Sequence, residues 1–198
     1  ALKGLKIAHI SDYHNRKSRL INDALFKALD EEKPDMIFIT GDLIDKNKTD
    51  IPVSLAFVEK LCGYAQVYYV TGNHECNVSI EDQKVFDDFI QNLRDIGVSV
   101  LRQNKAVFET SDDKSVNICG IDDPYFHCYH SDEISYTTAS LCEEIEIDKS
   151  QYNILLAHHP EQLNVYAEYG FDLVFSGHAH GGQGRLFNIG AIFYCKKI

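Results

Sequence analysis

Five short polar segments of this sequence carry side chains that can bind divalent cations, and each segment follows an apolar run. The segments are Asp12-x-His14, Gly41-Asp42, Gly72-Asn73-His74-Glu75, His158-His159-Pro160 and Gly177-His178-Ala179-His180. Their carboxylate, amide and imidazole groups form a mixed oxygen and nitrogen set that suits Mn²⁺, Fe²⁺ or Zn²⁺. The candidate ligands are Asp12, His14, Asp42, Asn73, His158, His178 and His180. They are too many for one ion, but a bridging carboxylate would let them hold two ions ~3.5–4 Å apart, as in two-metal hydrolases.

Strands and helices alternate in the first half of the sequence, and short strands separated by polar turns follow. The apolar periodicity predicts helices at Arg19–Glu32, Ile51–Cys62, 79–95, 138–144 and 162–169. It predicts strands at 5–10, Met36–Thr40, 66–71, 99–101, 106–110, 115–121, 153–157, 173–176 and 185–193, with a hairpin loop at 111–114. These elements indicate one α/β domain over residues 1–198, in which two mixed β-sheets pack face to face and helices flank them.

The ends of the predicted strands explain how segments far apart in sequence can meet. In open α/β sheets, ligand sites form beyond the carboxyl ends of the strands. Each polar segment begins where a predicted strand ends, so we expect its side chains at one common edge. A single Asp or Asn after a strand is usually a turn residue, but turns alone do not account for five such clusters.

Several residues near these segments have two interpretations. His159 competes with His158 as a ligand, and its spacing from the following proline favours His158. Glu75 either orients the preceding histidine or caps a helix. Asp122 and Asp123 either shape a turn or approach the site, and the turn is favoured.

The chain has 198 residues and a net charge of −11 with histidine neutral. This charge argues against nucleic acid as the main partner, because phosphate backbones are bound by Lys/Arg surfaces. No apolar run approaches the ~20 residues that span a bilayer. The six cysteines form no Cys-x-x-Cys pair, which argues against a structural zinc site and indicates a reduced, intracellular-type chain. We therefore expect a cytoplasmic protein, or one peripheral to the membrane if an N-terminal anchor was removed.

Taken in order, the five segments resemble the signature series of the calcineurin-like metallophosphoesterases. The final run, Gly-His-x-His-Gly-Gly-Gln at residues 177–183, is similar to that of a bacterial branch of small phosphodiesterase-like members. The resemblance covers residues 5–183 and agrees with a four-layer α/β/β/α sandwich. It implies a hydrolase of phosphoric esters with two divalent metal ions, manganese being favoured and iron, zinc or nickel being alternatives.

The resemblance also implies a role for each residue. The first metal would be held by Asp12, His14, Asp42 and His180, and the second by Asp42, Asn73, His158 and His178. A hydroxide bridging the two metals would attack phosphorus. His74 would be the catalytic residue that contacts the phosphate and protonates the leaving oxygen.

Two departures from the family pattern bear on the substrate. Lys46 stands where the protein Ser/Thr phosphatases of this superfamily have an arginine, and lysine lacks the bidentate fork that clamps phosphate. We therefore expect a phosphodiesterase or pyrophosphate-type hydrolase acting on a small-molecule or lipid-linked substrate, with a phosphomonoesterase as the alternative. The sequence after Gln183 is short for this branch, so we expect a stretch of the C-terminal sheet to be missing.

Two further classes of protein are less favoured. A non-catalytic, metal-binding scaffold of the same fold should lack a ligand or the catalytic histidine, and this chain keeps all of them. A two-metal amidohydrolase, which cuts C–N bonds, would carry other motifs and has no use for the Gly-Asn-His segment.

Overall fold

The computed structural model describes residues 4–110, 115–128, 130, 132–180, 184–185 and 191–193. Its helices are α1 (Arg19–Glu32), α2 (Ile51–Cys62), α3 (Asn73–Glu81), α4 (Gln83–Asp95), α5 (Ile134–Glu143) and α6 (Leu163–Tyr169). Its strands are β1 (Ile7–Ile10), β2 (Met36–Thr40), β3 (Gln66–Val70), β4 (Ser99–Val100), β5 (Asn104–Glu109), β6 (Ser115–Gly120), β7 (Tyr152–Leu156), β8 (Leu173–Phe175), β9 (Gly184–Arg185) and β10 (Ala191–Phe193). Short 3₁₀ turns lie at Pro124–Phe126 and Pro160–Gln162.

Two four-stranded sheets carry the architecture. The first has the order β1-β2-β3-β4 with every pair parallel. The second has the order β5-β6-β7-β8, in which β5 and β6 are antiparallel and the other pairs are parallel. The predicted α/β fold of two sheets with flanking helices is confirmed, although among the described strands the mixed pairing predicted for both sheets occurs only in the second.

The two sheets pack face to face because their strands are apolar on both faces. Phe38 of β2 lies between the sheets with Ile118 and Ile154 of the second sheet. The next residue, Ile39, points to the opposite face and packs with helices α1, α2 and α4. Leu155 faces the other way from the second sheet and packs with α5 and α6. The layers therefore follow the order helix, sheet, sheet, helix.

The single helix predicted over residues 79–95 is wrong, because the chain forms α3 and α4 with a break at Asp82. Asp82 has an extended backbone, and its carboxylate accepts a hydrogen bond from the Val85 amide at 3.1 Å. It is therefore the N-cap of α4, whereas Ser79, the predicted cap, lies buried inside α3. Because α3 begins directly after β3, it places Asn73 at a helix N-terminus on the edge of the sheet.

Other departures are local. The single strand predicted over 185–193 is wrong, since β9 and β10 at its two ends are separate strands that pair antiparallel. The predicted hairpin loop at 111–114 lies outside the described residues. The helix predicted at 138–144 begins earlier, at Ile134. Among the described residues, no helix is long and apolar enough to cross a membrane, and the cysteines found there are free.

Candidate metal centre

The carboxyl ends of β1, β2, β3, β7 and β8 meet at one edge, so the five polar segments converge there. The structure brings all the predicted ligands into two adjoining clusters. Asp12 Oδ1 lies 3.5 Å from His180 Nε2. Asn73 Oδ1 lies 3.1 Å from His158 Nε2 and 3.0 Å from His178 Nδ1.

The cluster around Asn73 joins the buried His158 to the partly exposed Asn73 and His178, and it is built from lone pairs that face one another. Nδ1 of His158 lies 2.7 Å from the Thr40 carbonyl, which can only accept, so Nδ1 carries a proton. In the neutral ring Nε2 then presents a lone pair to Asn73 Oδ1 and, at 3.4 Å, to Asp42 Oδ2. Three donor atoms converging in this way suit a cation. Burial alone would lower the pKa of His158, but in the metal-free chain the facing Asp42 raises it to about 9.

The Asp42 carboxylate lies between the two clusters and is 3% exposed. Its Oδ1 accepts a hydrogen bond from the His74 amide at 2.9 Å, which fixes the direction of the other oxygen. That oxygen, Oδ2, lies 3.4 Å from His158 Nε2 and 3.8 Å from His14 Nε2. Although burial disfavours its charge, His158 and His74 hold the pKa of Asp42 well below its usual range. Asp42 Oδ2 therefore faces a histidine of each cluster.

The first cluster is more open. The ligand atoms of Asp12, His14 and His180 lie within 4.8 Å of one another. The rings of His14 and His180 are stacked, with centroids 5.2 Å apart. His180 is 54% exposed and Asp12 only 6%. This side of the centre therefore faces solvent, whereas the cluster around Asn73 faces the interior.

The backbone around the centre is strained. Left-handed φ angles between +49° and +63° occur at Asp12, His14, Asp42, His178 and His180. Such angles are uncommon outside glycine and cost about 1–3 kcal/mol each when the surroundings impose them. Gly41, with φ +86°, adds a close approach, since a Cβ there would lie 2.5 Å from His158 Nδ1. Turns therefore set the directions of the candidate ligand side chains, and packing holds these turns in place.

His74 lies beside the clusters rather than within them. Its Nδ1 accepts a hydrogen bond from the Lys46 amide at 3.1 Å, so the proton of the neutral ring is on Nε2. Nε2 is 4.0 Å from Asp42 Oδ2, and the ring centroid is 4.4 Å from that of His14. The side chain is 17% exposed, and burial lowers the pKa of His74. An N–H group therefore points towards the centre.

Glu75 joins the turn that follows β2 to the turn that follows β3. This role was not predicted from the sequence. The side chain is fully buried. Oε1 accepts hydrogen bonds from the amides of Leu43 and Ile44 at 2.8 and 3.1 Å. Oε2 accepts from the amides of Asp42 and Gly72 at 2.9 and 2.8 Å. Of the two predicted roles the cap is found, because the Gly72 bond caps α3, and the carboxylate also fixes the turn that carries the bridging candidate.

We expect Glu75→Gln to weaken Mn²⁺ binding by about 10–100-fold, because residues that orient ligands typically have effects of this size. The new amide NH₂ would face backbone N–H groups and could not accept from them. Calorimetric titration of the metal-free protein with Mn²⁺ measures the effect, after urea unfolding has shown that the variant is folded. Glu81→Gln, at the exposed end of the same helix, is the control. Wild-type affinity in Glu75→Gln would contradict this role.

A role in shaping a turn was the favoured prediction for Asp122 and Asp123. In the structure both residues do more than this. Asp122 is 1% exposed and accepts hydrogen bonds from Arg102 Nε at 2.8 Å and from Thr71 Oγ1 at 2.9 Å. It therefore ties the second sheet to the strand end before the Asn73 segment. Asp123 does cap a turn, through a 2.9 Å bond from the Tyr125 amide, but its other oxygen lies 2.9 Å from His159 Nε2.

His159 pairs with two carboxylates that are not among the predicted ligands. Its Nε2 lies 2.9 Å from Asp123 Oδ2, and its Nδ1 lies 2.7 Å from Glu161 Oε1. Burial opposes a charge on this ring, yet the two carboxylates raise the pKa of His159 to about 10. The ring is 4.4 Å from that of His178. His159 is therefore a buried cation behind the centre, and the geometry favours His158 as the residue that faces a metal.

Comparisons with known proteins agree with these motifs. The family model described as calcineurin-like phosphoesterase matches residues 5–182. The uncharacterized metallophosphoesterase YkoQ of Bacillus subtilis is 31% identical over 92% of this chain and 63% of its own length. An uncharacterized metallophosphoesterase of Campylobacter jejuni is 30% identical over 91% of this chain and 45% of its own. Phosphodiesterase YaeI of Escherichia coli is 26% identical over 95% and 65%.

The chain thus spans about half to two thirds of the length of these curated relatives. Among solved structures, TT1561 of Thermus thermophilus superposes with a TM-score of 0.57 at 14% identity. That match covers 87% of this chain and 81% of the other. At such low identity the likeness shows the fold alone.

Proposed function

We propose that this chain, which belongs to the calcineurin-like phosphoesterase family, is a dinuclear metal-dependent hydrolase of phosphodiesters or pyrophosphates. The observation that carries the proposal is the shared oxygen, Asp42 Oδ2, which His14 and His158 face from the two clusters. One carboxylate oxygen between two sets of nitrogen and oxygen donors is the arrangement that a pair of cations requires. The name of the relative YaeI, a phosphodiesterase, supports the same class.

The residues divide between two ions. The first set is Asp12, His14, Asp42 and His180, and the second set is Asp42, Asn73, His158 and His178. The mixed donors favour manganese, with iron, zinc or nickel as alternatives. When bound, the two cations supply a water molecule of lowered pKa as the nucleophile and neutralise charge on the phosphoryl group. The protein supplies their fixed separation through the single Asp42 side chain.

His74 acts on the substrate directly in this proposal. The Lys46 amide keeps the proton of the neutral ring on Nε2, the nitrogen nearer to Asp42. This N–H contacts a phosphoryl oxygen. To protonate the leaving oxygen the ring must first take up a second proton on Nδ1, where it would replace the hydrogen bond from the Lys46 amide and face Asp45 Oδ1, 4.0 Å away. The Nε2 proton then goes to the leaving oxygen and the ring returns to neutral. The neighbouring candidate metal ligands do not depend on a proton from His74.

The substrate that we propose is a small-molecule or lipid-linked phosphoester. The net charge of −11 disfavours a nucleic acid as the main partner. Lys46, which replaces the phosphate-clamping arginine of phosphoprotein phosphatases, disfavours a phosphoprotein. We place the protein in the cytoplasm or at the periphery of a membrane.

Hydrolysis of two chromogenic esters tests the proposal. Metal-stripped protein is assayed on bis-p-nitrophenyl phosphate and p-nitrophenyl phosphate, with and without added Mn²⁺. We expect turnover only with metal and faster turnover of the diester. Faster cleavage of the monoester would replace the proposal with a phosphomonoesterase. Two bound metals without turnover of either ester would favour the non-catalytic scaffold.

A further inference from the structure

A groove of about 510 Å³ opens beside the first cluster, on the side where His180 is exposed. Asp12 and His180 are among its lining residues, so the groove adjoins the first cluster and a molecule bound there can extend into this space. The volume lies within the range of small-molecule sites. The hydroxyl of Ser176, which also lines the groove, is buried and has no hydrogen-bond partner among the described residues.

Arg16 is the positively charged side chain of this groove. Within the described part of the chain its guanidinium group makes no hydrogen bond and no ion pair. Its basic neighbours differ, since Lys17 pairs with Asp50 at 2.6 Å and Arg19 with Asp23 at 3.5 Å. In a chain with a net charge of −11, an arginine that has no carboxylate partner among the described residues, at the edge of a metal centre, is available to an anionic ligand.

The backbone that carries Arg16 is held firmly. The Arg16 amide donates to the Tyr13 carbonyl at 3.1 Å, and the Tyr13 ring is stacked on Phe57 at 3.9 Å. The side chain of Asn15 is 7% exposed and bonds to the Lys48 carbonyl at 2.8 Å. A cation on a fixed turn loses less freedom on binding than one on a mobile loop. The backbone position of Arg16 is therefore largely preset.

We infer that Arg16 and this groove bind a second anionic phosphoryl group of the substrate, next to the one that is hydrolysed. The guanidinium fork matches two oxygens of a phosphate or phosphonate. The inference rests on the proposed function and narrows it to pyrophosphates or to diesters with a second phosphate.

Binding of two non-hydrolysable or product-like anions tests the inference. Methylenediphosphonate and orthophosphate are titrated calorimetrically into the Mn²⁺-loaded protein, and into its Arg16→Gln and Arg19→Gln variants. We expect Arg16→Gln to lower the affinity for methylenediphosphonate about tenfold or more beyond any loss for orthophosphate, the size of a charged hydrogen bond. Arg19→Gln, 93% exposed at its arginine, should leave the ratio of the two affinities unchanged.

Equal losses for the two anions would show that Arg16 contacts the hydrolysed phosphate instead and would overturn the inference. An unchanged ratio together with unchanged affinities would also overturn it. Failure of the proposed function gives a different result, because the wild-type protein would then bind no pair of metals and would not hydrolyse bis-p-nitrophenyl phosphate with Mn²⁺. The two failures are thus separable.

Discussion

The Asp42→Asn variant is expected to bind at most one metal ion with high affinity and to lose phosphodiesterase activity by about 10³-fold or more. The carboxylate oxygen that faces both clusters becomes part of a neutral amide, which is a weak bridge between two cations. Metal ions contribute several kcal/mol of transition-state stabilisation, which corresponds to this loss in rate. Metal content after desalting and kcat on bis-p-nitrophenyl phosphate measure the two effects.

Asparagine is the better replacement because of the backbone. Asp42 has φ +51°, and asparagine tolerates the left-handed region whereas alanine is strained there. The amide oxygen can still accept the hydrogen bond from the His74 amide, so the turn is kept. Asp95→Asn, exposed on α4, is the control and should retain both metals. Two tightly bound metals in Asp42→Asn would remove the bridge from the proposal.

The sequence was sufficient to predict the edge of the fold at which the centre lies. When apolar strands of a parallel sheet each end in a polar residue, these polar residues lie at one edge of the sheet, because the carboxyl ends of the strands share that edge. Asp12, Asp42, Asn73 and His158 could therefore be placed together from strand ends alone. The helix break at Asp82 was missed because Ser79 and Asp82 are both residue types that cap helices, and an apolar stripe that begins at Val85 fits either start.

The residues behind the centre could not be predicted in the same way. Glu75 acts through four backbone amides from two different turns, and backbone contacts leave no residue pattern to recognise. The pair of His159 with Asp123 joins segments more than thirty residues apart, and either side chain alone resembles an ordinary surface or turn residue. The left-handed φ angles at His14 and His178 also could not be predicted, because histidine is enriched in that region but most histidines lie outside it.

The His74→Ala variant is expected to keep both metals and to lose about 10²–10⁴-fold in kcat, the range for a general acid. The metals should stay because the bond from residue 74 to Asp42 Oδ1 comes from the main chain, which alanine retains. The imidazole N–H near Asp42 Oδ2 is all that is removed from the centre. Metal content, and kcat on a phosphodiester with an alkoxide leaving group, measure the result in comparison with the exposed control His130→Ala.

The identity of the leaving group separates proton donation by His74 from simple contact with phosphate. p-Nitrophenolate is a stable anion and needs little help, whereas an alkoxide must be protonated as it leaves. The loss in kcat caused by His74→Ala should therefore be larger for a diester from which methoxide leaves than for one from which p-nitrophenolate leaves. Equal losses for both would assign His74 to phosphate binding alone, and full activity would exclude it from the reaction. If His74→Ala lost metal and activity together, the His74 side chain would be needed to hold the metal ligands in place. The hydrogen bond from the Lys46 amide to Nδ1 gives no reason to expect such a role.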